Sequence, residues 1–328
     1  MPEPTRSARA TADRPAVDVD ALVTHREVIA DGVRLHYVEA GPEDGPLVVL
    51  LHGFPECWYT WRRQLPALAD AGFRVVAPDM RGYNRSEKPH GIDAYRLDRL
   101  AGDVAGLIAA VAREGEGEGE SADASAHVVG HDWGGAVAWA TAAAHPDAVD
   151  RLVVLNAPHP FEGVRELSLE QLARSWYVLY FQLPRLPEAG LRAGDFRALE
   201  RLFREGTVRE DAFTDEDVRR FAAAMGRPGA LRSALGYYRA FVRRTVPEHL
   251  PGAIPLVGPR LVDPVDPVTA PTLVLWGERD AALAVERTRG LDRYATDVRV
   301  ERFPDAGHWV HVDRPARVSD AIVEFLPE

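Results

Sequence analysis

The run Val128-Val129-Gly130-His131-Asp132-Trp133-Gly134-Gly135 decides the fold. An apolar strand leads straight into a G-x-D-x-G turn, and a helix of small residues, Trp133–Ala144, follows at once. That is the strand-turn-helix setting of a nucleophile elbow, with an aspartate where serine is usual. The central residue of such a turn is strained, and side chains at the flanking glycines would strike neighbouring backbone. The helix N-terminus behind the turn favours negative charge at Asp132. Taken alone the pattern has a plain alternative, because aspartate is a common helix N-cap.

Working outward, apolar runs recur on both sides of the turn. Strands are expected at His25–Ile29, Val33–Glu39, Pro46–Leu51, Arg74–Ala77, Ala126–Val129 and Arg151–Leu155, then at Thr272–Trp276 and Val298–Phe303. Helices are expected at Trp58–Ala71, Asp93–Arg113, Leu283–Tyr294 and Pro315–Phe325. Near-continuous apolar strands alternating with helices specify an α/β fold with a mostly parallel, doubly wound sheet. The alternation stops between Phe161 and Glu248, where four helical segments stand: Glu166–Gln182, Glu188–Arg204, Asp215–Met225 and Ala230–Arg244. The expected layout is a disordered lead-in over 1–22 and a core over 23–160. An inserted helical cap with a proline-rich return linker covers 161–264, and the rest of the core covers 265–328. The segment from Glu114 to Ser121, EGEGEGES, can bury nothing and is expected to be a mobile surface loop.

Three features lift Asp132 above a helix cap. His52-Gly53-Phe54-Pro55 follows a buried strand and can aim the Phe54 N–H at the elbow, where the Trp133 N–H would complete an oxyanion hole. Trp276-Gly277-Glu278-Arg279-Asp280 places a carboxylate at the C-terminal end of a late strand, the ligand-binding edge of an open sheet. Asp305-Ala306-Gly307-His308-Trp309 follows the last strand. Any one of these could be an ordinary turn. Together, in the order nucleophile, acid, histidine, they make a triad of Asp132, Asp280 and His308. His52 and His131 are read as structural, while His159 and His311 are weaker candidates for pocket lining.

Composition limits the partners. The chain has 328 residues, 46% of them hydrophobic, and a formal net charge of -11, which disfavours nucleic acid and anionic membrane surfaces. No stretch reaches the roughly 18 to 20 apolar residues of a spanning helix. The first twenty residues lack the apolar centre of a secretory signal, so a cytoplasmic location is expected. Lys88 is the only lysine, a bias that fits an arginine-rich codon usage or adaptation to salt. The single cysteine, Cys57, excludes an internal disulfide and a cysteine metal cluster.

His52–Pro66 (HGFPECWYTWRRQLP), Pro78–Pro89 (PDMRGYNRSEKP) and Gly130–Gly135 (GHDWGG) resemble the epoxide hydrolases of the α/β-hydrolase fold. The likeness runs from about Val23 onward, apart from the Gly/Glu loop. It implies a cap bearing two tyrosines that hold the epoxide oxygen. The run Tyr177-Val178-Leu179-Tyr180-Phe181-Gln182-Leu183-Pro184 puts the first at Tyr177, and Gly236-Tyr237-Tyr238-Arg239 puts the second at Tyr238. Tyr180 and Tyr237 sit close by, so the register is open, and Tyr180 is read as packing. The resemblance implies an epoxide opened to a vicinal diol through a covalent ester on Asp132, with water as co-substrate. No cofactor or metal is called for. Trp133 and Trp309 are expected to touch substrate. The same nucleophile could serve a haloalkane or haloacid dehalogenase, although Phe54 stands where such enzymes often carry asparagine. A binding protein that kept the fold without chemistry is the remaining alternative.

Overall fold

Strand β3, Leu47–Leu51, is apolar throughout because both of its faces are covered, and Val48 to Leu51 are fully buried. The computed structural model describes residues 18–115, 124–160, 171, 174–245 and 267–327. Within these, eight strands form one sheet in the order β1-β2-β4-β3-β5-β6-β7-β8. They are β1 (Thr24–Ala30), β2 (Val33–Ala40), β3, β4 (Arg74–Pro78), β5 (Ala126–His131), β6 (Val149–Leu155), β7 (Thr272–Gly277) and β8 (Val298–Phe303). Strand β2 runs antiparallel to both of its neighbours, and every pairing from β4 to β8 is parallel. The mostly parallel sheet expected from the sequence is present. The β1–β2 hairpin turns on Asp31-Gly32, both at positive φ, a pair suited to a tight two-residue turn.

Register sets where chemistry can occur. Leu51 pairs with Gly130, His131 with Leu155, Leu155 with Leu275, and Gly277 with Phe303. The C-terminal ends of β3, β5, β6, β7 and β8 therefore lie side by side at one edge of the sheet. The loops leaving them carry Phe54, Asp132, Asn156, Asp280 and His308.

The Trp133–Ala144 helix packs closely behind β5 because Gly134 and Gly135 leave no Cβ to meet the backbone of Leu51 or the side chain of Ala157. Between β6 and β7 the described residues include four helices: Trp176–Tyr180, Leu186–Glu205, Asp215–Gly226 and Ala230–Thr245. The third opens with a capping box between Thr214 and Asp217. Phe181, Leu199, Phe203, Phe221, Tyr237 and Tyr238 join these helices to the apolar cluster under the sheet edge.

Some local expectations are corrected. The helix expected over Leu283–Tyr294 is two short 3-10 turns, Val285–Thr288 and Leu291–Arg293, separated by Gly290 at φ 68. Trp58–Ala71 divides into a 3-10 turn, Trp58–Trp61, and a helix, Gln64–Asp70. The Leu186–Glu205 helix is broken over Ala193–Phe196, where Gly194 takes φ 62. The lead-in ends earlier than 22: Val19–Leu22 is a helical turn capped by Asp18, with Val19 buried. Glu114 and Gly115 extend the Leu97–Gly115 helix. The rest of the Gly/Glu segment as far as Ser121, and the boundaries at 161 and 264, lie outside the described residues.

Candidate active site

Asp132 leaves β5 at φ 52 and ψ -120, a backbone conformation that L-residues rarely hold, and this turn lifts its carboxylate clear of the sheet edge. The N–H of Phe54 donates to Asp132 Oδ1 at 2.8 Å. That approach requires Gly53, because a Cβ there would lie 2.5 Å from Asp132 Oδ1. The other oxygen, Oδ2, is 3.7 Å from His308 Nε2, and the side chain keeps 18% of its surface exposed. Trp133 opens the following helix, so its N–H belongs to the unsatisfied first turn behind the carboxylate.

His308 and Asp280 meet from separate strand ends. His308 Nδ1 donates to Asp280 Oδ2 at 2.7 Å, which orients Nε2 toward Asp132. Asp280 has no exposed side-chain surface, and its remaining acceptor capacity is filled. Oδ1 accepts from the N–H groups of Ala282 at 2.7 Å and Leu283 at 2.9 Å. Oδ2 also accepts from Asn156 Nδ2 at 2.8 Å. Burial favours the neutral acid, but the His308 charge and these donors outweigh it and hold Asp280 below the ordinary carboxylate range. Burial likewise opposes charge on His308. The Asp280 charge and then the nearby Asp132 carboxylate, 3.7 Å away, prevail, and the imidazole sits well above its usual pKa.

The four cap tyrosine candidates separate by what their hydroxyls do. Tyr237 donates to the Arg81 carbonyl at 2.7 Å, and Tyr180 donates to the Leu186 carbonyl at 3.2 Å, so both serve packing. Tyr177 and Tyr238 face one another with ring centroids 6.0 Å apart. Tyr238 stands edge-on to Trp133 at 5.0 Å and to Phe54 at 5.5 Å. Burial first, and then the nearby Asp132 charge, push both phenols above their ordinary pKa, so each keeps its proton.

One expected substrate contact is corrected. Trp309 is 1% exposed. Its Nε1–H donates to Glu56 Oε1 at 2.5 Å, and its ring packs on Phe203 and Phe213, so no face is left for a ligand. His159 and His311 are both buried in packing. His159 stacks on Tyr294 with centroids 4.0 Å apart, and burial depresses its pKa to about 3. His311 is fully buried against Trp61. His52 is structural as expected: its Nδ1 donates to the Gly53 carbonyl and its Nε2 accepts from the Met80 N–H.

Sequence reasoning overlooked Glu56 and Asn156. Glu56 is fully buried and accepts from the Gly53 N–H, the Thr60 hydroxyl and Trp309, with His131 Nδ1 3.2 Å away. Burial works against its charge, yet the His131 ring holds Glu56 far below the ordinary glutamate range. His131 Nε2 in turn donates to the His308 carbonyl at 3.0 Å. This chain of contacts ties the Phe54 loop to the His308 loop. Ligand atoms of Glu56, His131 and His311 lie within 4.8 Å of one another, a spacing a metal could use. Thr60, Gly53 and Trp309 already fill the Glu56 oxygens, which makes the cluster a hydrogen-bond hub. A polar residue directly after an apolar strand would have flagged Asn156, and the glutamate closing HGFPE would have flagged Glu56.

Residues 46–315 match the α/β hydrolase fold family. The chain is 40% identical to the AB hydrolase superfamily protein YfhM of Bacillus subtilis, over 91% of this chain and 96% of that one. It is 38% identical to epoxide hydrolase 3 of Xenopus tropicalis, over 90% of this chain and 76% of the relative. The crystal structure of epoxide hydrolase A from Mycobacterium thermoresistibile superposes with a TM-score of 0.73 at 34% identity, covering 93% of this chain and 98% of that one. The chain therefore belongs to the α/β-hydrolase fold family and, within it, stands with the epoxide hydrolases.

Proposed function

We propose that this protein is an epoxide hydrolase that converts an epoxide and water to a vicinal diol through a covalent ester on Asp132. One arrangement carries the reading: an aspartate held by the Phe54 N–H lies beside a His308–Asp280 pair and near two protonated phenols. The helices between β6 and β7, with the 161–264 boundaries expected from the sequence, act as the cap that supplies those phenols.

In the first step Oδ2 of Asp132 attacks a ring carbon and the C–O bond breaks. The ring oxygen, which would otherwise become an alkoxide in a partly dry site, takes a proton or a strong hydrogen bond from Tyr177 and Tyr238. In the second step His308 Nε2 removes a proton from water, which adds to the ester carbonyl of Asp132. The oxyanion forms on Oδ1, where the Phe54 N–H already points, with the Trp133 N–H as second donor. Collapse expels the diol oxygen, which takes back the proton held by His308, and leaves one oxygen from water in the carboxyl group, whose proton restores the phenol that gave one up. The residues supply every proton movement, and no metal or organic cofactor is assigned a step. No described helix is long and apolar enough to cross a membrane.

The discriminating experiment incubates the purified protein with styrene-oxide-type epoxides and, separately, with chloroalkanes. Diol release supports the reading. Chloride release with no diol from any epoxide would replace it with dehalogenation, and activity on neither substrate would favour a binding protein. Tyr177→Phe and Tyr238→Phe should each slow diol formation by about 10² to 10⁴-fold without abolishing it, because one donor remains. Single-turnover rates check this, and an unchanged ring-opening rate in both variants would remove the tyrosines from the mechanism.

A further inference from the structure

A second pocket, of about 520 Å³, opens where the loop after β4 meets the helices. Its lining includes Lys88 and His90 from the core side and Arg192 and Arg232 from the helical side, and no residue assigned to the Asp132 site. The chain as a whole carries a formal charge of -11, yet its one lysine and two arginines converge here. Lys88 Nζ donates to the carbonyls of Asn84 and Ser86, each at 2.7 Å, which fixes the head group and leaves its third hydrogen for a ligand. Arg192 and Arg232 are exposed and have no carboxylate partner among the described residues. Among the described residues Arg232 donates to His90 Nδ1 alone, at a long 3.3 Å. Glu188, the acid in the lining, pairs through Oε1 with Arg239 at 2.7 Å and its buried Oε2 has no donor among the described residues, so one carboxylate stands against Lys88, Arg192 and Arg232. Burial lowers the Lys88 pKa, Asp79 opposes this, and Arg227 and Arg34 add to the lowering, so an anion beside the amine would be welcome.

We propose that this seam pocket binds a small organic phosphate monoester. Guanidinium groups grip phosphate oxygens through paired N–H donors, and an ammonium adds a compact point charge. The volume exceeds what phosphate alone fills, and Pro228 and Leu231 give the organic part an apolar wall. A ligand touching Lys88 and Arg232 together would tie the helices to the core. Beside this pocket, Arg239, which pairs with Glu188, also donates to the carbonyls of Phe181 at 2.8 Å and Leu183 at 2.9 Å.

Isothermal titration of the full chain with phenyl phosphate, and separately with inorganic phosphate, tests the assignment. Phenyl phosphate should bind saturably at one site and more tightly than inorganic phosphate. The double variant Arg192→Glu, Arg232→Glu should weaken it by roughly tenfold or more. The control double variant Arg201→Glu, Arg219→Glu makes the same change in net charge at highly exposed positions outside the pocket and should bind as the parent does. Absence of saturable binding, or an equal loss in the control, overturns the site. Equal affinity for inorganic phosphate overturns the organic-ester assignment.

Discussion

Asp132→Ala and Asp132→Gly should both lose epoxide turnover by about 10⁴-fold or more, and the glycine variant should be the more stable of the two by about 1 kcal/mol. The activity loss follows from removing the atom that forms the ester. The stability difference follows from the backbone. At φ 52 and ψ -120 an L-residue is strained, and glycine is not. Both variants lose the same carboxylate, the same hydrogen bond from Phe54 and the same interaction with His308, so their comparison isolates the turn. Glycine also loses more freedom on folding, which lowers its advantage below the full strain energy. Urea midpoints measure the difference, and diol release measures activity. An alanine variant as stable as glycine would mean that the elbow is not strained. Retained turnover in freshly prepared Asp132→Asn, before deamidation can restore the acid, would remove Asp132 as nucleophile. In wild type, one turnover in ¹⁸O-labelled water should leave the label in the Asp132 peptide.

The elbow was legible from sequence because its determinants are local. An apolar strand, two glycines that exclude Cβ atoms and a helix of small residues all lie between Ala126 and Ala144. Asp280 and His308 were legible for a related reason, since each follows directly from a buried strand whose parallel register sends it to the same sheet edge. Glu56 and Asn156 were not. Their roles exist only once the ends of β3, β5, β6 and the Trp309 turn converge, and no spacing within one segment encodes that. Trp309 misled for the converse reason. It adjoins His308 in sequence, but its indole turns away from the carboxylate of Asp132 toward Glu56 and the helical block. In the Leu283–Tyr294 segment, apolar spacing suggested a helix, and Gly290 at positive φ divided it. The tyrosine register was open in the sequence because Tyr237 and Tyr238 are adjacent. Packing distinguishes them, since one hydroxyl is taken by the Arg81 carbonyl and the other ring meets Trp133.

His308→Gln should separate the two chemical steps. Ring opening needs the Asp132 carboxylate and the phenols, whereas ester hydrolysis needs a base for water. The variant should therefore add one epoxide mass to the protein and then stall, with steady-state turnover reduced about 10⁴-fold, visible by intact-protein mass spectrometry. The same geometry predicts how the base is switched on. In the free enzyme Nδ1 of His308 faces Asp280 at 2.7 Å and Nε2 faces Asp132 at 3.7 Å. Those charges raise its pKa well above the ordinary histidine value against the opposing effect of burial. A ring whose pKa is raised in this way favours its protonated form and is a poor base for water. Esterification of Asp132 removes one of the anions, and the upward pull from that side disappears just when a base is required. Asp280 remains and keeps the ring oriented. The Asp132→Asn variant imitates this loss of charge permanently. Its His308 resonance, followed by NMR as pH is raised, should titrate at a lower midpoint than in wild type. An unchanged midpoint would mean that Asp132 does not set the protonation of His308.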